Sequence, residues 1–103
     1  HEIEGDHDHD DFDTFVVDIA PARDAASLVE RLQAVAEAHD VLRIKGFVAV
    51  EGKAMRLLVQ GVGNRFRHQF DRPWAPGEIR AGRLVVIAEK GLDEAAVRAA
   101  LAA

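Results

Sequence analysis

The sequence predicts an α+β two-layer sandwich, in which an antiparallel sheet carries two helices on one face. Segments that alternate apolar and polar residues predict strands with one buried side. A segment with apolar residues three and four positions apart predicts an amphipathic helix before the second strand, and an Ala-rich segment predicts a short helix at the end of the chain. A tight, Gly-containing connection between the second and third strands predicts a hairpin and therefore antiparallel pairing.

The first strand is predicted between residues 12 and 19. Phe15, Val17 and Ile19 fall on one side of an extended chain, and the residues between them fall on the other side. Pro21 ends the strand, because proline cannot donate a hydrogen bond to a strand ladder.

The next segment, residues 24–38, is predicted to be a helix with Asp24 as its N-cap. The apolar stripe of this helix consists of Leu28, Leu32, Val35, Ala36 and His39. Glu30, Arg31, Gln33 and Glu37 face outward, so the helix is expected to pack on the sheet through one face.

Residues 41–50 and 54–62 predict the second and third strands, joined by a tight turn at Gly52. The expected inward-facing positions of the second strand are Leu42, Ile44, Val48 and Val50. Residues 63–82 are rich in Gly and Pro but also contain Phe and Trp, so they are expected to pack onto the domain. A short extended piece is predicted within them, at 66–71.

The apolar run at residues 83–89 predicts a strand that is buried on both faces or central in the sheet. Gly91 ends this strand, and Asp93 can cap a short C-terminal helix. The resulting β-α-β-β-β-α order, with the piece at 66–71 in addition, resembles a ferredoxin-like split βαβ arrangement without its regular final strand.

Composition narrows the possible functions. The chain has 103 residues, a formal net charge of −5 and no cysteine. One domain is expected at this length. The lack of cysteine excludes disulfides, thiolate metal sites and cysteine nucleophiles. The acidic balance argues against general nucleic-acid binding, and the apolar runs are far shorter than the ~20 residues needed to span a bilayer.

Charge is distributed unevenly along the chain. Residues 1–13 contain seven acids and no Lys or Arg, whereas the rest of the chain contains 11 acids and 13 bases. Residues 1–11 hold one aliphatic side chain, Ile3, so they are predicted to form a flexible acidic linker before a domain at residues 12–103. Because the chain begins with His and not Met, we expect a preceding part of the protein.

The linker carries the clearest metal-binding pattern in the sequence. The candidate ligands are His1, His7, Asp8 and His9, because neutral imidazole and carboxylate groups suit divalent ions such as Zn²⁺ and Co²⁺. His7 and His9 are two residues apart, so both can chelate one ion from an extended segment. Ordering a flexible segment costs entropy, so binding is expected to be modest and exchange fast. The alternative is a solvated acidic linker, or a partly tag-derived sequence, without a metal role.

The other polar residues predict no catalytic site. His39 continues an apolar helix stripe and His68 lies in the predicted loop, so both are expected to be structural or surface residues. No Ser-His-Asp order, paired Glu or Gly-rich phosphate loop stands out. Between residues 41 and 90, ten Lys and Arg outnumber four acids, which is enough for an acidic partner or a phosphate. Such a pattern more often belongs to a solvent-exposed face of a sheet than to a binding site.

Four segments occur in the order found in a known family: LRIKGFVAV (42–50), LLVQGVG (57–63), FDRPW (70–74) and RLVVIAEKGLD (83–93). Through this combination the chain resembles the CobW C-terminal domain over residues 12–102. The His/Asp leader resembles the His-rich linker that joins this domain to an N-terminal GTPase in CobW-type metallochaperones.

The resemblance implies a cytoplasmic metallochaperone GTPase that supplies cobalt, or zinc, and takes part in cobalamin biosynthesis. In such proteins the GTP and magnesium sites and the cysteine metal motif belong to the N-terminal domain. The folded domain is therefore expected to hold no cofactor and not to be an enzyme. Its expected partners are the N-terminal GTPase domain and a metal acceptor such as a cobalt chelatase. The alternative is a ferredoxin-like binding module that recognises a small ligand or an acidic protein partner without a metal role.

Overall fold

The strands and helices occur along the chain in the predicted order, and there is one more full strand than was predicted. A computed structural model describes residues 12–102 of the chain. The elements are β1 (Phe12–Ile19), α1 (Ala25–His39), β2 (Val41–Val48), β3 (Met55–Val62), β4 (Arg65–Pro73), β5 (Gly82–Glu89) and α2 (Glu94–Ala102). The predicted linker, residues 1–11, lies outside the described residues, so that division of the chain stays a prediction.

The five strands form one sheet in the order β1-β5-β2-β3-β4, and each neighbouring pair is antiparallel. Because β5 is antiparallel to both of its neighbours, β1 and β2 run in the same direction on either side of it. The unit β1-α1-β2 is therefore a split βαβ, with its gap filled by the last strand. This topology confirms the predicted α+β class.

The core lies between one face of the sheet and both helices. The alternation in β1 buries Phe15, Val17 and Ile19, as predicted. The two helices contribute Leu28, Leu32, Val35, Ala36, Val97 and Leu101 to the same buried cluster. Since these helices pack into a single cluster with one set of strand positions, the two-layer arrangement is confirmed. Each fully buried aliphatic side chain of this kind contributes about 1.5–3 kcal/mol.

The helices begin where the sequence predicts. Asp24 has an extended backbone, and its Oδ1 accepts a hydrogen bond from the Ser27 N–H at 2.7 Å. This bond lowers the pKa of the Asp24 carboxyl. Asp93 caps α2 in the same way, with its Oδ1 accepting from the Ala96 N–H at 3.1 Å. At the other end of α1, Asp40 adopts a left-handed conformation (φ 53°) and closes the helix through its N–H.

Two details of the strands differ from the prediction. In β2 the sequence placed Leu42 inside, but the register shifts between Val41 and Arg43, and Val41 is buried while Leu42 is half-buried. Such an irregularity changes which side of the strand a residue faces. The predicted short piece at 66–71 is the nine-residue strand β4, at an edge of the sheet.

The apolar run in β5 is explained by its position. Of the two alternatives, a central place in the sheet is confirmed, because β5 pairs with β1 on one side and β2 on the other. Burial on both faces is not observed: buried and exposed residues alternate, and Val85 is 37% exposed. The helices cover only the opposite face of the sheet. Within residues 12–102, no helix is long and apolar enough to cross a membrane.

Candidate interaction surface

The sheet presents a second face that neither helix covers, called the open face below. Residues paired in register across neighbouring strands point to the same side of a sheet. One row across the open face consists of Val16, Val85, Lys45, Gln60 and Arg67. The next row consists of Thr14, Ile87, Arg43, Val62 and Arg65. The open face is therefore apolar toward β1 and basic toward β4.

The basic part of the open face forms a shallow cleft of about 370 Å³, called the arginine cleft. It is lined by Arg43, Gln60, Gly61, Val62, Arg65 and Arg67. The three guanidinium groups come from β2 and β4, and the exposed Val62 of β3 lies between them in the register. Arginine guanidinium groups present planar sets of donors that match carboxylates and phosphates.

The arginines of this cleft differ from four other arginines of the domain, which are held in ion pairs. Arg83 pairs with Asp18 at 2.9 Å, Arg98 with Glu94 at 2.8 Å, and similar pairs hold Arg56 and Arg72. Among residues 12–102, none of the three cleft arginines takes part in an ion pair of this kind. Lys45 lies in the same row as Arg67, so the region has a local excess of positive charge, which favours an anionic partner.

An aromatic cluster lies at the opposite end of the open face. The rings of Phe47 and Trp74 meet edge to face, with centroids 5.9 Å apart. The Arg56 guanidinium lies 4.8 Å from the centre of the Phe47 ring. The Arg56 Nε and Nη2 donate to the two carboxylate oxygens of Asp71, at 3.1 and 2.5 Å, and this pairing lowers the pKa of Asp71.

The segment after β4 is held by a second arginine. Arg72 donates two hydrogen bonds of 3.0 Å to the carboxylate of Glu78, which also accepts from the Ala75 N–H at 2.8 Å. The Arg72 bonds, followed by the backbone bond, lower the pKa of Glu78 to about 2. The ionised Glu78 carboxylate therefore stabilises the folded state fully at pH values above its ordinary pKa, and this stabilisation is lost as the pH falls toward 2.

A pH-dependent loss of stability is therefore expected in acid. Between about pH 4.5 and pH 2, the Arg72→Gln variant should lose less of its free energy of unfolding than the unsubstituted chain, because the Glu78 pKa returns toward its ordinary value. Urea denaturation at a series of pH values measures this difference. Arg80→Gln, at an exposed position of the same segment, is the control and should follow the unsubstituted chain. Parallel acid profiles for Arg72→Gln and the unsubstituted chain would contradict the assignment.

The predicted metal ligands His1, His7, Asp8 and His9 lie outside the described residues. The other two histidines are described: His39 is the last residue of α1 and half-buried, and His68 is exposed on β4. Across residues 12–102, no group of three or more His, Cys, Asp or Glu side chains is placed to hold a metal ion.

The sequence does not predict the arginine cleft, although Lys and Arg outnumber the acids between residues 41 and 90. The missing information was the register of β4. Arg65 and Arg67 are two residues apart, which is the spacing that puts two side chains on one face of a strand. That signal becomes informative only once β4 is recognised as a full strand paired with β3.

The two-layer fold defines a small domain of the α+β class with a basic cleft on its open face. The family described as "Cobalamin synthesis protein cobW C-terminal domain" matches residues 12–103. The chain belongs to this family, which confirms the resemblance seen in its sequence motifs.

Two curated relatives carry the name zinc chaperone CobW. The protein from Sinorhizobium sp is 53% identical over 103 residues, which is all of this chain and 29% of the relative. The protein from Pseudomonas aeruginosa is 56% identical over 84 residues, which is 82% of this chain and 22% of the relative. The chain thus spans less than a third of the length of these relatives.

Solved structures of a GTPase contain a similar domain. The Zn(II)-bound YjiA GTPase from E. coli has a TM-score of 0.70 and 28% identity, with 97% of this chain and 31% of that chain covered. A Zn(II)-bound triple mutant of the YjiA GTPase has a TM-score of 0.71 and 30% identity, with 87% of this chain and 28% of that chain covered. The fold is therefore one found within larger GTPase chains.

Proposed function

We propose that this chain is the C-terminal region of a CobW-type zinc chaperone, and that residues 1–11 are a linker that binds its metal cargo transiently. The observation that carries the proposal is the zinc chaperone from Sinorhizobium sp, because its 53% identity extends over the whole chain, His/Asp segment included. The remaining 71% of that relative has no counterpart in this chain, which leaves room for the GTPase domain.

In this proposal the work is divided between two parts of one protein. GTP and magnesium bind, and GTP is hydrolysed, in an N-terminal domain that is the first partner of the domain at residues 12–103. The fold of YjiA, a GTPase with a matching domain, supports this division. The C-terminal domain then serves recognition, and it couples the state of the GTPase to release of the metal.

The ligand chemistry supports a divalent metal on the linker. His1, His7 and His9 supply imidazole nitrogens and Asp8 a carboxylate oxygen, a donor set suited to Zn²⁺ and also to Co²⁺. The relatives' name favours zinc. Delivery of cobalt to a chelatase of cobalamin biosynthesis in the cytoplasm is the finer version of the same proposal, and it requires the site to select cobalt.

Substitution of two linker histidines tests the metal site. His7→Ala/His9→Ala is expected to weaken Zn²⁺ binding by the full chain about 10-fold or more, because two nitrogen ligands are lost. Isothermal titration calorimetry with Zn²⁺, and separately with Co²⁺, measures the affinity. The matched control is His39→Ala/His68→Ala, which removes the two histidines of the folded domain and should leave the affinity unchanged.

The same titration has a predicted pH dependence. Imidazole binds metal only when neutral, so the affinity should fall as the pH drops through about 6.5. Equal affinities for the two double variants would place the metal elsewhere and remove the linker from the proposal.

The arginine cleft favours a second candidate function, a binding module for a small anion or an acidic protein partner without a metal role. Its three guanidinium groups are the specific observation. The metal titration separates the candidates, because only the chaperone proposal requires the linker histidines. Unchanged Zn²⁺ affinity in His7→Ala/His9→Ala would favour the binding module.

A further inference from the structure

We propose that the arginine cleft binds the carboxylates of residues 1–11 of the same chain, so that the acidic segment docks on the open face of the sheet. The cleft and the segment have opposite charge within one molecule. The segment contains six carboxylates and no Lys or Arg. The cleft holds three arginines, and Lys45 lies in the same row as Arg67.

The register of the sheet brings the segment to the correct end of the open face. β1 begins at Phe12, which pairs with Glu89 at the end of β5. Two residues further along β1, Thr14 belongs to the row that contains Arg43 and Arg65. The chain therefore leaves the fold at the end of the sheet where the arginine cleft lies.

Residues 1–11 are long enough to extend from the start of β1 to the arginines of the cleft. Neighbouring strands are about 4.8 Å apart, so Arg43 in β2 is about 10 Å across the sheet from β1, and β4 is about 19 Å away. An extended residue advances about 3.3 Å, so about six residues cross the whole sheet. Asp10 and Asp11 can reach the first arginine, and Asp8 and Asp6 can reach those of β4.

The chemistry of the cleft suits carboxylates. Each guanidinium can donate two parallel hydrogen bonds to one carboxylate, and such charge-assisted bonds are about twice as strong as neutral ones. Gln60 lines the same cleft with an amide that can both donate and accept. The other arginines of strands β3 to β5 are paired with Asp18, Asp71 and Glu78, so among the arginines of the described strands only those of the cleft have no such pair.

Docking of the acidic segment should affect metal binding by that segment, an effect that rests on the proposed function. Asp8 would serve both as a metal ligand and as a carboxylate for the cleft, and bound Zn²⁺ would reduce the negative charge of the segment. Metal binding and docking therefore compete, and each weakens the other by the same factor.

The test uses a single nitroxide label on the full chain. The chain has no cysteine, so Gly5→Cys gives one labelling site within the acidic segment. In the metal-free protein at low salt, the label should broaden the amide signals around Arg43, Arg65 and Arg67 in a ¹⁵N NMR spectrum. The broadening should disappear in Arg43→Gln/Arg65→Gln/Arg67→Gln and at 1 M salt, where the Debye length is about 3 Å.

A matched variant controls for the change in net charge. Arg23→Gln/Lys53→Gln/Arg80→Gln removes three exposed charges away from the cleft and should leave the broadening intact. No broadening at the cleft in the unsubstituted sequence, or equal loss in both triple variants, would overturn the proposal. A mixture of labelled ¹⁴N chain and unlabelled ¹⁵N chain must show no broadening, because transfer between molecules would mean that a second copy occupies the cleft.

The competition between docking and metal binding is tested by separate measurements of Zn²⁺ affinity. The triple cleft variant should bind Zn²⁺ about fivefold more tightly than the unsubstituted chain, and the control triple variant should not. Absence of the broadening in the otherwise unsubstituted chain at low salt contradicts docking, whatever the Zn²⁺ affinities are. Unchanged Zn²⁺ affinity in His7→Ala/His9→Ala contradicts the metal site and leaves the spin-label result standing.

Discussion

Replacement of Gly46 by alanine is expected to destabilise the domain by about 3 kcal/mol. Gly46 lies in β2 and pairs with Leu84 of β5, so it is at the contact between β1-β5 and β2-β3-β4 in the sheet. A Cβ at this position would lie 2.0 Å from the carbonyl oxygen of Arg83 and 2.9 Å from the Cα of Leu84. Both contacts are with backbone, so the strands themselves must separate to make room.

Gly61→Ala is the matched control for this prediction. Gly61 also lies in a strand, but the three atoms nearest to an added Cβ there all belong to the ring of Phe66, the first at 2.5 Å. A side chain can rotate away where a backbone cannot, so Gly61→Ala should cost clearly less. Urea denaturation followed by circular dichroism measures both variants. Equal losses would show that backbone contact at Gly46 is not the cause.

Trp74→Ala is expected to cost about 3–5 kcal/mol, the usual range for removal of a buried aromatic ring. Trp74 is 6% exposed and packs edge to face on Phe47, which in turn lies beneath the Arg56 guanidinium. Its backbone N–H also donates to the Ala54 carbonyl at 3.2 Å, so the residue anchors the chain after β4. Loss of the ring leaves Phe47 without its aromatic neighbour.

Trp74→Phe separates the packing of the ring from its polar group. Among the described residues, the buried Nε1 of Trp74 has no hydrogen-bond partner, so phenylalanine removes a donor that contributes no bond. The Phe variant should therefore lose less than about 1.5 kcal/mol. Circular dichroism is the suitable probe, because Trp74 is the only tryptophan. Equal destabilisation by Ala and Phe would contradict a role in packing.

Most of the fold could be predicted because its signals are local. Alternation in β1 identified Phe15, Val17 and Ile19 as buried, and Asp24 was recognised as a helix cap from its place before an apolar stripe. Leu42 was misplaced because its orientation depends on how β2 pairs with β5. β4 was underestimated because its Gly- and Pro-rich surroundings favour a loop and only its pairing with β3 makes it a strand.

The candidate site was less predictable. The His/Asp pattern at His7, Asp8 and His9 could be found by inspection, since it lies within one short segment. The arginine cleft could not, because Arg43 and Arg65 are far apart in sequence and adjacent only through the register of three strands.

The α+β class, the helix caps and the family could all be read from the sequence, which also predicts an acidic leader before a domain with a slight excess of basic residues. These follow from patterns within a few residues of each other or from motifs in a fixed order. Three features depend on the pairing of distant strands: β5 lies between β1 and β2, one sheet face stays open, and three arginines share a cleft on that face. Pairing between distant strands is set by the burial of a whole face at once, so no single segment of the sequence contains it.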